Sequence, residues 1–101
     1  MKSKFTVKSR EYEVALEKEE RGGEDKFNPY RATVSGQPDG PVQGSCQVTD
    51  AALETADKKA ADGGVTAGDL IAEACGKSIA SELVIRKLTP DFSFVVDYRW
   101  L

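Results

Sequence analysis

The chain has 101 residues, with 14 Lys+Arg against 17 Asp+Glu, a net charge of -3 and no histidine. That length supports one hydrophobic core and not two, and the slight negative charge gives no global electrostatic case for nucleic acid or an anionic membrane. The missing imidazole removes Ser/His and Cys/His nucleophile pairs, the commonest acid/base group and mixed zinc sites, which points away from enzymatic chemistry.

No apolar run approaches the roughly 20 residues that span a bilayer, and Met1-Lys2-Ser3-Lys4-Phe5 has no apolar stretch of signal-peptide type behind it. A cytoplasmic protein of one domain, residues 1–101, without a membrane partner, is the expectation. Residues 1–20 read as strand, because Phe5 and Val7 alternate with polar neighbours and so do Tyr12, Val14 and Leu16. The first pair is odd-numbered and the second set even-numbered, so the facing parity changes near Ser9-Arg10. A bulge is the preferred account, with two short strands joined by a turn as the alternative. Charge is sorted along the same stretch, Lys2, Lys4, Lys8 and Arg10 preceding Glu11, Glu13, Glu17, Glu19 and Glu20, and reads as a solvated strand face.

Glu20-Arg21-Gly22-Gly23-Glu24-Asp25-Lys26 is a polar hairpin loop, and Tyr30, Ala32 and Val34 then alternate in a second strand. Turn chemistry is densest at Ser35-Gly36-Gln37-Pro38-Asp39-Gly40-Pro41. A third short strand over Val42 to Val48 is expected to be weakened by Gly44. Thr49 or Asp50 can cap a helix running to about Asp62, with Leu53, Ala56 and Ala60 inward, and Gly63-Gly64 ends it.

The longest apolar-periodic stretch runs from Thr66 to Leu88. Thr66 and Asp69 form a short-acid capping box, and Ile71, Cys75, Ile79 and Leu83 recur in steps of four, with Leu70 and Ala74 beside them. Gly76 marks a kink, a close approach to the sheet, or a break between two helices. Arg86 and Lys87 suit the helix C-terminus, and Thr89-Pro90 stops it. In the last stretch Phe92, Phe94, Val96, Tyr98 and Trp100 share one parity, predicting a strand to the chain end that forms the centre of the core with the Thr66 helix.

The fold class that follows is α+β, a small, mainly antiparallel sheet with two helices packed on one face, in the order β-β-(β)-α-α-β. Three clusters are candidate sites. Gly63, Gly64 and Thr66 lead into a helix N-terminus that can hold an anion, without the spacing of a phosphate loop. Tyr98, Trp100 and Leu101 keep the apolar alternation going to the last residue and suit pairing with a protein partner or a second copy. Cys46 and Cys75 are a conceivable metal or redox pair, but Cys75 sits in the apolar stripe as a small hydrophobe, while Cys46 lies in a turn-rich segment. Glu11, Glu13 and Glu17 read as surface charge, and Asp97 and Arg99 as a cross-strand pair. No catalytic group, metal set or cofactor is expected.

The stretch Tyr30-Arg31-Ala32-Thr33-Val34, the turn after it, and then Thr49 to Leu53 with Ala56 resemble the HicB-type antitoxin domain over about a third of the chain. That family has paired strands, a Pro/Gly turn and a helix opening on Thr-x-x-Glu-Ala-Leu. Here the glutamate is absent and the spacing is one residue short. The leading expectation is a small non-enzymatic protein-interaction module, self-pairing through its C-terminal strand or binding another protein. The resemblance implies a toxin- or operator-binding regulator as one alternative, and the Gly63-Gly64 helix entrance a small-ligand or anion-binding domain as another.

Overall fold

Alternating patterns in the first half of the chain pair locally, because hairpin contacts cost little loop-closure entropy. The computed structural model describes residues 1–101, with strands β1 (Lys2–Val7), β2 (Arg10–Lys18), β3 (Asn28–Ser35) and β4 (Val42–Val48), helices α1 (Asp50–Gly63) and α2 (Ala67–Leu83), and strand β5 (Ser93–Val96). The five strands form one sheet in the order β1-β2-β3-β4-β5. The first three pairings are antiparallel, and β5 lies parallel to β4 after the two-helix crossover. This is the α+β arrangement read from the pattern, with both helices on one face.

The parity change between β1 and β2 comes from a turn, not from the preferred bulge. Lys8 and Ser9 both adopt left-handed φ, 50° and 67°, and make a two-residue hairpin loop. Val7 then faces Arg10 and Phe5 faces Tyr12, so an odd residue always opposes an even one. The Phe5 and Tyr12 rings consequently stack on the inner face, 5.6 Å apart.

Inner-face residues of every strand bury against the helices: Val7, Val14, Leu16, Tyr30, Ala32, Val34, Cys46, Val48 and Val96. Ile71, Cys75, Ile79 and Leu83 of α2 meet them, as the steps of four predicted. α2 is continuous through Gly76. A Cβ at that position would come within 3.2 Å of the Phe5 ring, so the glycine serves close approach to β1. Thr66 caps α2 by accepting from Asp69 N–H at 3.1 Å. Thr49 caps α1 by accepting from Ala52 N–H at 3.1 Å, and Gly64 ends α1 in the left-handed conformation.

Two further expectations are corrected. α2 ends at Leu83, five residues before the expected stop at Leu88, and its last turn carries no cation. Leu88 is drawn away from the helix axis because Gln37 binds both its backbone groups, accepting from Leu88 N–H at 2.9 Å and donating to Leu88 C=O at 3.4 Å. Arg86 instead pairs with Glu82, and Lys87 with Asp39 at 2.7 Å. The last strand ends at Val96, well before Trp100, and sits at the sheet edge; the middle strand is β3. Asp97 stops it: one carboxylate oxygen accepts from Tyr98 N–H at 2.8 Å and from the Thr49 hydroxyl at 3.0 Å. Residues Tyr98–Trp100 then turn as a 3₁₀ helix.

Candidate functional site

β5 pairs with β4 on one side only. Ser45 N–H donates to Phe92 C=O at 2.8 Å and Thr49 N–H to Val96 C=O at 3.1 Å, so alternate residues of β5 face the ladder. Ser93 and Val95 therefore turn their backbone N–H and C=O outward along a free edge. The strand, Ser-Phe-Val-Val, carries no charge, whereas β1 at the opposite edge presents exposed Lys2 and Lys4. Val95 is 50 % exposed on the outer face and Tyr98 51 % exposed just past the strand. Behind the edge lies a groove of about 340 Å³ between the C-terminal end of α2 and β5, whose apolar lining is Leu88, Phe92 and Phe94, with Arg86 and Lys87 at its rim.

Of the expected partner-binding residues, Tyr98 alone remains mostly open. Trp100 and Leu101 are half-buried against the core, and Lys59 of α1 donates its ammonium to the Leu101 carbonyl. Asp97 and Arg99 do not pair across strands; their 3.8 Å contact lies within the 3₁₀ turn.

The α2 entrance borders a second hollow of about 260 Å³, lined by Met1, Lys18, Tyr30, Leu53, Asp57, Ile71 and the first turn of α2, with the Met1 side chain lying against Gly68. Ala67 and Gly68 of that turn reach it, whereas Gly63, Gly64 and Thr66 do not line it. Lys18 arrives because it continues the inward parity of Tyr12, Val14 and Leu16, and it stands directly opposite Tyr30 in the sheet. Tyr30 is only 4 % exposed and lines the hollow; its hydroxyl makes no hydrogen bond within the chain, and because no buried polar side-chain atom is left unpartnered, that oxygen reaches solvent. Burial chiefly, with the nearby Cys75 and Asp57, pushes this phenol above the ordinary tyrosine value. Sequence reasoning missed Lys18 and Asp57. A lysine on an otherwise apolar parity was the available signal for the first; Asp57, one turn after Leu53, gave none.

Cys46 and Cys75 meet in the core, both fully buried and both free. The hydrogen bond its S–H donates to Cys46, then burial, then the charge Cys46 would carry all push the Cys75 thiol up. Cys46 lies on the inner face of β4 rather than in an open turn, so its environment is apolar and protected. No group of three or more potential metal ligands occurs. Glu11 and Glu17 are exposed and Glu13 half-exposed on the uncovered face of the sheet, with Lys4 3.9 Å from Glu11.

No family model, no curated protein and no solved structure matches the chain. No helix is long and apolar enough to cross a membrane.

Proposed function

We propose that the protein is a non-enzymatic interaction module that docks by strand addition at the free edge of β5, with a second copy of the same chain as the occupant. The observation that carries this reading is the contrast between the two sheet edges. Lysines blunt β1, while β5 leaves the outward N–H and C=O groups of Ser93 and Val95 unguarded by any charge. An antiparallel copy would place Ser93 opposite Val95 of the second copy and the reverse, making two hydrogen-bonded pairs about a two-fold axis near Phe94. The four residues of the strand carry no charge, the opposed pair Asp91 and Asp97 lying just beyond its ends, and the exposed Val95 side chains would gain cover next to Ser93 of the other copy. Tyr98 stands close enough in sequence to extend the contact. Trp100 and Leu101 act indirectly, bracing the 3₁₀ turn against α1.

Light scattering tests the reading. The full chain should give twice the 10.9 kDa chain mass, and Val95→Lys should give a monomer with unchanged far-UV circular dichroism, since position 95 is half open. A wild-type monomer throughout the micromolar range would sink self-pairing. A dimer that Val95→Lys leaves intact would move the interface away from β5.

A further inference from the structure

The antiparallel register of a self-paired β5 carries an electrostatic cost at both ends. Setting Ser93 opposite Val95 of a second copy brings Asp91 of each chain, two residues before Ser93, towards Asp97 of the other, two residues after Val95. Like charges set opposite one another across strands are destabilising. Asp91 is exposed, and its carboxylate enters no ion pair of its own chain. Arg31, the cation that shares its outer-face hollow, is paired with Glu19 at 3.6 Å. At the other end, one oxygen of Asp97 accepts from the Thr49 hydroxyl and from Tyr98 N–H, and the second lies 3.8 Å from Arg99. That contact is too long for a hydrogen bond, and the Arg99 side chain is 78 % exposed. The cations at the rim of the groove behind β5 are committed, Arg86 to Glu82 and Lys87 to Asp39. Arg99 therefore brings a loosely held guanidinium to the end of the strand where the two carboxylates would meet.

We propose that Arg99 determines the specificity of this edge: its guanidinium bridges Asp97 of its own chain and Asp91 of the second copy, once at each end of the paired strands. The bridge presupposes the self-pairing of β5 and adds what fixes its orientation and partner. A guanidinium presents five N–H donors in a planar fork, enough to serve two carboxylates at once. The opposed aspartates thereby become the two sides of one cation's site. A parallel copy would bring Asp91 towards Asp91 and Arg99 towards Arg99, like charge against like, so the bridge selects the antiparallel arrangement. A foreign strand without an aspartate and an arginine at this spacing would leave Asp91 unmatched, so the bridge also favours a second copy of this chain. Because the bridge is open to solvent, its contribution is modest and is screened by salt.

Sedimentation equilibrium of the full chain, read as the dimer dissociation constant, tests the bridge with Arg99→Gln, Asp91→Asn and the double substitution. Both positions are exposed, and asparagine tolerates the left-handed φ of 64° at position 91, so the three variants should keep the wild-type far-UV circular dichroism. Arg99→Gln should weaken pairing about fivefold, since each dimer loses two exposed ion pairs and is left with its aspartates opposed. Asp91→Asn should weaken the wild type about threefold yet strengthen the Arg99→Gln chain, because without the guanidinium only the repulsion is left to remove. That reversal of sign separates a bridge from a merely structural role for either residue. An Asp91→Asn effect of the same sign in both backgrounds, or an Arg99→Gln dimer as tight as the wild type, would overturn the bridge and leave self-pairing standing. A wild-type chain that stays monomeric, or a dimer that Val95→Lys leaves intact, would instead remove β5 self-pairing and the bridge with it.

Discussion

Asn28 is the one inward-facing amide of β3, and it is nearly fully buried. Its Nδ2 donates to Val48 C=O at 3.0 Å and to the Asp50 carboxylate at 2.8 Å, while Arg21 donates to Asp50 at 2.8 Å and to Asn28 Oδ1 at 3.3 Å. One small network thus ties the β2–β3 loop, the end of β4 and the first turn of α1. The Asn28 hydrogen bond first, and the Arg21 guanidinium next, hold the Asp50 carboxyl below the usual aspartate range. The unfolded chain therefore takes up a proton at this group more readily than the native one. The stabilisation is complete above the unfolded aspartate value, about 3.9, and is lost as pH falls through the lower native value. Urea midpoints measured between about pH 6 and about pH 3 should fall less steeply for Asp50→Asn than for the wild type; equal slopes would remove Asp50 from the acid response. Asn28→Ala should cost about 1–2 kcal/mol at neutral pH, because it leaves the buried Val48 carbonyl short of a donor.

At the scale of elements, the entry of β5 onto the sheet depends on one position of its neighbour. A Cβ at Gly44 would lie 2.4 Å from the Phe92 carbonyl oxygen and 2.5 Å from its ring, so the glycine is the seat on which the start of β5 rests. The expected weakening of β4 by Gly44 has this counterpart: the strand loses a side chain and gains a parallel neighbour. Gly44→Ala should destabilise by about 1–3 kcal/mol, as other overpacked contacts do, and should abolish self-association at protein concentrations where Val95→Lys also does. Denaturation that matches the wild type would show that Phe92 moves aside without cost. The two helices differ in a related way. α1 buries only Ala52 and Ala56 fully, whereas α2 buries Ile71, Ile79 and Leu83, so α1 is the more weakly held.

Across the whole molecule the layers are unequal: both helices cover the inner face of the sheet, and the outer face, with Glu11, Glu17, Arg31 and Gln43, meets solvent. Cys46 and Cys75 lie between the layers, so neither thiol is reachable unless sheet and helix separate. With Cys75 pushed up by its hydrogen bond to Cys46 and by burial, thiolate is scarce in the native state. Iodoacetamide should therefore alkylate both cysteines at one common, slow rate that rises with urea in step with global unfolding. Fast modification of Cys46 alone in buffer would mean that the β4 end of the core opens locally.

The legible parts were local. Alternation and steps of four located the strand regions and both helices, and short-range chemistry identified Thr66 as a cap, narrowed the α1 cap to Thr49 or Asp50 and placed the α1 end at Gly63-Gly64, because those contacts lie within a few residues of one another. The buried stripe of α2 was readable for the same reason. What the sequence alone could not settle depended on partners distant along the chain. Gln37 and Leu88, 51 positions apart, end the excursion of α2, and Thr49 and Asp97, 48 apart, cut the terminal strand short although its apolar parity continues to Trp100. Lys18, Tyr30 and Asp57 come together only when β2, β3 and α1 converge on the α2 entrance. Periodicity states which way a residue faces; the tertiary structure decides what it faces, since burial and hydrogen bonding are set by the neighbours that folding delivers.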